Sequence, residues 1–157
     1  MFDLVFTRAE RALLLALDAL GVPYLVVGIS AALIEGAPGT TQDLDLWFGE
    51  LDAEKMREAA RRAGGIYTSG FGVQPPAVGG EGLDRIELVL SASGLDQFAV
   101  EHSRAREYEF DGLWIKVLPL ERVVASKRSA NRLKDRAQIP MLEAALAARR
   151  ARDGQST

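Results

Sequence analysis

The stretch YLVVGISAALIEGAPGTTQDLDLWF, residues 24–48, joins an apolar run that ends in glycine to two acidic residues in alternation. Residues 24–27 are apolar and β-branched enough to predict a buried strand. Gly28 interrupts that strand where a backbone can approach a ligand closely. Residues 30–34 predict a short helix, and the turn-forming residues 36–41 precede a second strand over residues 43–48.

Asp43 and Asp45 lie two residues apart in the second predicted strand, so their side chains project from the same face. Two adjacent carboxylates repel each other unless a cation lies between them, and carboxylate oxygens are ligands for a hard divalent ion such as Mg²⁺. A solvated strand face is the alternative, since Asp-x-Asp alone is common. The preceding strand, glycine turn and short helix favour the metal site, because they can bring backbone N–H groups beside the acids.

Residues 27–38, VGISAALIEGAP, and residues 41–45, TQDLD, resemble the signature of the small DNA-polymerase-β-like nucleotidyltransferases. That family includes bacterial abortive-infection and toxin–antitoxin members. Its pattern is a glycine followed by Gly or Ser, a short helix, and Asp-x-Asp or Asp-x-Glu. The resemblance extends to about residue 146 and implies an α/β (α+β) fold with a small mixed sheet, flanking helices and a helical C-terminus. We expect one domain over residues 1–150 and a flexible tail over residues 151–157.

The resemblance also implies the residues of a site for Mg²⁺ or Mn²⁺. Asp43 and Asp45 would bridge two ions, and Glu87, in a strand predicted over residues 85–90, would complete the site for the ion that activates the acceptor. Asp84 is the alternative third acid, and an exposed strand residue is the alternative interpretation of Glu87. The family positions implied to contact nucleotide are Gly28, Ser30, Thr41, Lys127 and Arg132.

Lys127 and Arg132 belong to a basic C-terminal run, which also contains Lys134 and Asp135 and resembles the corresponding run of the family. A solvated basic face with a structural Lys/Asp pair is the alternative interpretation of this run. Residues 1–100 carry 7 Lys+Arg and 14 Asp+Glu, whereas residues 101–157 carry 12 and 8. This division suits an acidic metal site that faces cationic phosphate contacts, although helix faces alone can produce it.

The implied reaction transfers a nucleoside monophosphate from a nucleoside triphosphate to a hydroxyl or phosphate of an RNA, protein or small-molecule acceptor. Two positions depart from the family pattern: Ile29 replaces a small residue, and Gly39 stands where related proteins often have Arg. They motivate a second hypothesis, a catalytically weakened relative that binds nucleotide or a partner protein. A third hypothesis, an Asp-x-Asp enzyme that uses a nucleotide sugar, is disfavoured because the chain leaves little room for an acceptor domain.

Composition bounds the remaining function classes. The chain has 157 residues, of which 48% are hydrophobic, and this suits one globular domain. It has no cysteine and a single histidine, His102, which excludes disulfides, thiolate chemistry and histidine-based zinc sites. No apolar run approaches the roughly 20 residues that span a bilayer. We therefore expect a cytoplasmic protein without a membrane partner.

Local signals predict the other elements. Thr7 with Glu10 is a capping-box pattern for a helix over residues 9–20, and Asp111-Gly112 predicts a hairpin turn. Residues 69–82, with five glycines and two prolines, predict a mobile surface loop. Helices are expected over residues 51–63, 120–130 and 134–150, with Pro140 near a turn or kink.

Overall fold

The computed structural model describes residues 6–155, in which thirteen helices and strands follow one another along the chain. The helices are α1 (Arg8–Ala19), α2 (Gly28–Ile34), α3 (Ala53–Arg62), α4 (Phe98–Ser103), α5 (Leu120–Ala130) and α6 (Leu133–Gln155). The strands are β1 (Leu25–Val27), β2 (Leu44–Trp47), β3 (Ile66–Thr68), β4 (Ala77–Gly79), β5 (Ile86–Val89), β6 (Arg106–Phe110) and β7 (Leu113–Val117). None of these helices has the length and apolar character needed to cross a membrane.

A five-stranded sheet in the order β5-β2-β1-β7-β6 forms the centre of the described fold. Strand β2 runs antiparallel to β1 and parallel to β5, and β1 runs parallel to β7, so the sheet is mixed. Helices pack around it, and α5 and α6 complete the C-terminus. The predicted fold class, a small mixed sheet flanked by helices with a helical C-terminus, is confirmed.

Strand β2 separates the core from the site because successive side chains point to opposite faces. Leu44, Leu46 and Phe48 are fully buried and belong to one contiguous core cluster. Asp45 and Trp47 point to the other face. The alternation of polar and apolar residues that predicted this strand therefore also determines which of its side chains face the core.

Two predicted local structures are present. Thr7 Oγ1 accepts a hydrogen bond from the Glu10 N–H at 3.0 Å, and the Thr7 N–H donates to Glu10 Oε1 at 2.8 Å, which completes the capping box of α1. Asp111 and Gly112 both have positive φ, 49° and 85°, as a tight turn between β6 and β7 requires.

One expectation is corrected, and part of the expected tail is helical. Residues 69–82 are not simply a loop, because β4 pairs with β3 and buries Val78 opposite Tyr67. Residues 151–155, expected in a flexible tail, continue α6 to Gln155 with exposed side chains, while residues 156–157 lie outside the described part. Pro140 lies inside α6, where its ring nitrogen has no hydrogen to donate to the preceding turn.

Glu35, a buried residue at the end of α2, contacts three other elements: β6, α5 and α6. Its Oε1 accepts from the Leu120 N–H at 2.8 Å and from Arg106, and Tyr108 donates to its Oε2. Arg149 of α6 donates to the Glu35 carbonyl oxygen at 2.9 Å. A buried carboxylate needs such partners, so this residue fixes α2 against the C-terminal half of the fold.

Candidate functional site

The turn from β1 into α2 brings the backbone of Gly28 against Asp45. Val27 is opposite Asp45 in the β1–β2 ladder, and Gly28 follows with a φ of +64°. A Cβ at Gly28 would lie 2.5 Å from Asp45 Oδ2, which is too close for a side chain unless the carboxylate moves. Glycine is therefore required here both by the left-handed backbone and by the neighbouring carboxylate.

Ser30 anchors the same turn from inside. Its hydroxyl donates to the Val27 carbonyl oxygen at 2.8 Å and accepts from the Asp45 N–H at 3.2 Å. The residue is fully buried and does not line the cavity at the carboxylates. The structure thus does not bring the predicted nucleotide contact of Ser30 to the site, and the hydroxyl instead holds β1, α2 and β2 together.

The three predicted acids meet at one edge of the sheet. Asp45 and Glu87 are direct neighbours in the parallel ladder of β2 and β5, so their side chains share a face. Asp43 is exposed and immediately precedes β2, although we expected it within the strand. Burial, followed by the negative charges of Asp43 and Glu87, raises the pKa of Asp45 to about 6. Asp43 and Glu87 are therefore close enough to Asp45 for their charges to disfavour its ionisation.

A cavity of about 680 Å³ opens in front of these acids. Its lining includes the three carboxylates and most of the residues that the sequence singled out for nucleotide: Gly28, Thr41, Lys127 and Arg132. Thr41 also positions Asp43, since its Oγ1 lies 3.1 Å from both the N and the O of that residue. Asp84, the alternative third acid, is exposed and does not line this cavity.

Cationic side chains of α5 and α6 also line this cavity. Lys127 and Lys134 lower the pKa of Asp45, against the larger effects of burial and acidic neighbours, so both charges act on the carboxylate. Lys134 was not among the predicted contacts. The sequence shows that Lys134 belongs to the basic run. It does not show which side of α6 faces the cavity.

Asp135 organises two of these cations. Its buried carboxylate accepts from Arg132 Nε at 2.7 Å and from Lys127 Nζ at 3.2 Å. The hydrogen bond from the Arg132 side chain is the largest of the effects that lower the pKa of Asp135 to about 2. Asp135 thus forms an ion pair with Lys127, and the same Lys127 also lines the cavity.

The two departures from the family pattern occupy different places. Ile29 lines the carboxylate cavity and packs partly against the core. Gly39 has a φ of +117° and lines a neighbouring cavity, which shares Thr40 and Thr41 with the carboxylate cavity. Of the two positions, Ile29 is the one that lines the carboxylate cavity itself.

The donor chemistry of Asp43, Asp45 and Glu87 suits a hard divalent cation, which would also relieve the repulsion that raises the pKa of Asp45. Within residues 6–155, no three His, Cys, Asp or Glu side chains are grouped so that they can hold a metal ion. The ligand types fit such an ion, but the described side chains do not form a closed ligand set.

Comparison with known proteins gives similarity at the level of the fold. No family model and no curated protein matches the chain. The solution structure of the antibiotic-resistance factor ANT(2'')-Ia matches with a TM-score of 0.53 and 14% identity, over 94% of this chain and 92% of that one. The fold is that of a nucleotidyltransferase. The crystal structure of ANT(2'')-Ia in complex with adenylyl-2''-tobramycin matches with a TM-score of 0.50 and 17% identity, over 90% and 94% of the two chains. Nucleotidyltransferase architecture is thus shared along nearly the whole chain.

Proposed function

We propose that this protein is a metal-dependent nucleotidyltransferase, which moves a nucleoside monophosphate from a nucleoside triphosphate to a hydroxyl or phosphate acceptor. The observation that carries the proposal is the juxtaposition of Asp45 and Glu87, in register on neighbouring strands, with the cations of α5 and α6 across one cavity. A cavity lined by both carboxylates and the cations of Lys and Arg suits a metal-bound triphosphate. The nucleotidyltransferase fold supports this assignment.

The side chains have distinct roles in this proposal. Asp43, Asp45 and Glu87 would hold Mg²⁺ or Mn²⁺, which supplies positive charge to the phosphate oxygens and activates the attacking oxygen. Gly28 leaves the approach to Asp45 free of a side chain. Lys127 and Lys134 attract the phosphates, and Arg132 lines the same wall.

Membership of the DNA-polymerase-β-like minimal family, including its abortive-infection and toxin–antitoxin branches, is part of the proposal. It rests on the match of residues 27–45 to the family signature together with the fold. A cytoplasmic location and the use of a partner protein stay predictions. The acceptor of ANT(2'')-Ia in the matched complex is tobramycin, and a small-molecule hydroxyl acceptor is accordingly one candidate here.

A weakened relative that binds nucleotide or a partner without transfer is the second candidate. Two observations favour it: Ile29 presents a bulky apolar side chain to the cavity, and Asp135 already engages both Lys127 and Arg132. Phosphates would have to share these cations with a buried carboxylate.

The deciding experiment measures pyrophosphate release from each of the four nucleoside triphosphates, with Mg²⁺ or Mn²⁺ and a panel of RNA, protein and small-molecule acceptors. We expect metal-dependent release by the wild type and a loss of orders of magnitude in Asp45→Asn. Asp84→Asn, outside the cavity, is the matched control. Equal rates in wild type and Asp45→Asn would contradict transfer at this site, and metal-dependent nucleotide binding without transfer would favour the second candidate.

A further inference from the structure

A second cavity, of about 930 Å³, continues from the carboxylate site along strands β2 and β5. In the chain segment that contains β2, the alternate residues Asp45, Trp47 and Gly49 share one face. In the segment that contains β5, Glu87, Val89 and Ser91 do the same. Trp47 is opposite Val89 in the parallel ladder. The two cavities share the lining residues Ser91, Ala92 and Leu95, which follow the strand that carries Glu87. A ligand in the second cavity would therefore lie about two residues, roughly 7 Å, beyond the acids.

Aromatic rings form one wall of the second cavity. Trp47 and Phe98 meet edge to face with ring centroids 5.4 Å apart. Phe98 reaches this position because residue 49 is glycine, where a Cβ would lie 2.7 Å from the ring. Such a wall suits an apolar or aromatic ring of a ligand.

Trp47 also carries an unsatisfied donor. The residue is only 4% exposed, and its Nε1–H has no hydrogen-bond partner among residues 6–155. A buried donor without a partner is costly, and this N–H is shielded from solvent as well as from protein acceptors. The indole ring lines the cavity, so its N–H signal would respond to a ligand bound there.

The charged groups around the second cavity favour a cation. Glu50, Asp52 and Asp96 line it with one cationic side chain, Lys55. Burial, followed by the charge of Lys116, lowers the pKa of His102 and so favours its neutral form. Arg104 and Arg122, at 3.6 and 4.0 Å, offset the charge of Asp96. Glu50 is exposed and forms no ion pair within the described part of the chain. With Asp96 offset, Glu50 and Asp52 leave one negative charge in excess of Lys55, which favours a cationic group over an anionic one.

We propose that this second cavity binds the acceptor, and that the acceptor is a small alcohol with an apolar ring and a protonated amine. The proposal rests on the proposed transferase function. The acceptor oxygen forms a bond to the α-phosphorus, the bond from that phosphorus to the bridging oxygen breaks, pyrophosphate leaves, and the hydroxyl proton passes to solvent. Glu87, on the strand that leads into the cavity, is on the acceptor side of the site.

The test uses matched probes and a readout that requires no turnover. The probes are 2-amino-1-phenylethanol, 1-phenylethanol and mandelate, which carry the same ring and hydroxyl with positive, zero and negative charge. The chain has two tryptophans, so the Trp47 indole N–H can be followed by NMR and assigned with Trp114→Phe. Trp114 lies on β7 and is 59% exposed, outside this cavity. We expect the Trp47 signal to shift, with the amine binding at least about fivefold tighter than the neutral alcohol.

Charge variants test the source of this preference. Glu50→Gln should reduce the preference for the amine by about twofold or more, whereas Glu81→Gln, an exposed carboxylate outside this cavity, should leave it unchanged.

A stationary Trp47 signal, or equal binding of all three probes, would overturn the ligand class even if transfer to other acceptors is observed. If the amine binds but receives no nucleotide from an enzyme that labels other acceptors, the acceptor role is wrong. If no acceptor at all is labelled, the transferase function itself has failed.

Discussion

The Cα of Gly28 lies so close to the carboxylate of Asp45 that a single added methyl group would be 2.5 Å from Oδ2. We expect Gly28→Ala to displace the Asp45 carboxylate and to abolish transfer. The left-handed backbone adds a further cost of about 1–2 kcal/mol to folding. Chemical denaturation and pyrophosphate release measure the two effects.

Gly64→Ala is the matched control for this substitution. Gly64 also has a left-handed backbone, with a φ of +80°, but nothing lies within 4 Å of an added Cβ. Gly64→Ala should lose only the stability that a left-handed backbone costs an alanine, and it should retain full activity. Equal activity of the two variants would show that the contact between Gly28 and Asp45 is not required.

The raised pKa of Asp45 predicts a pH dependence of stability in the metal-free protein. Because the folded pKa, about 6, exceeds the ordinary value of 3.8, the folded state binds the proton more tightly and loses stability as pH rises from about 4 to about 6. Asp45→Asn lacks this loss, so its stability relative to wild type should increase by up to about 3 kcal/mol across that interval. Urea denaturation at pH 4 to 8 measures the difference.

Asp43→Asn gives an internal check on that interpretation. Asp43 is the largest charge contribution to the raised pKa, after burial itself. Asp43→Asn should therefore lower the pKa of Asp45, which an NMR titration measures. It should also narrow the pH range over which the folded protein loses stability. An unchanged pKa would mean that the two carboxylates do not interact.

The register of β2 and β5 distinguishes two candidate third acids. Asp45 is opposite Glu87, whereas Asp84 lies before β5 and outside the cavity. Glu87→Gln should lower turnover by orders of magnitude with little change in nucleotide affinity, and Asp84→Asn should change neither. The reverse result would require a different third acid.

Lys127 and Arg128 are adjacent on α5 but face different surroundings. Lys127 lines the cavity, whereas Arg128 is exposed and pairs with Glu143. Lys127→Met should weaken triphosphate binding by about tenfold or more, as expected for loss of a charge-assisted contact, and should raise the pKa of Asp45. Arg128→Met should do neither. Calorimetric titration of triphosphate, with circular dichroism to verify folding, compares them.

Ile29 and Gly39 should respond differently when given residues typical of the resembled family. Ile29→Ser removes a bulky side chain from the cavity and should tighten triphosphate binding by about tenfold. Gly39→Arg places a side chain at a φ of +117° in a different cavity, so it should cost about 1–3 kcal/mol of stability without tightening binding. Tighter binding in Gly39→Arg would show that an arginine at residue 39 reaches the triphosphate across Thr40 and Thr41, which line both cavities.

Local patterns predicted much of this fold and most of the site. The apolar run before Gly28 and the alternation over residues 43–48 are properties of neighbouring residues, and they identified β1 and β2. The third acid came from the family resemblance, and the observed register places Glu87 beside Asp45. Such features are readable because strand periodicity alone sets which side chains share a face.

Features that depend on tertiary packing were not readable. Ser30 lies close to the glycine turn that the sequence suggested for phosphate binding. In the folded protein its hydroxyl instead forms hydrogen bonds with the Val27 carbonyl oxygen and the Asp45 N–H. The rotation of α6 decides that Lys134 faces the cavity. Strand β4 has little strand propensity of its own and forms because β3 offers a ladder for it.

The Glu35 network has a consequence for how the chain can be cut or rearranged. Its partners lie 71 to 114 residues further along the sequence, and the last of them is on α6. Removing α6 would deprive a fully buried carboxylate of one cationic partner. The C-terminal helix is accordingly an integral part of the folding unit, so a shortened chain that ends before Arg149 should not serve as a minimal version of this protein.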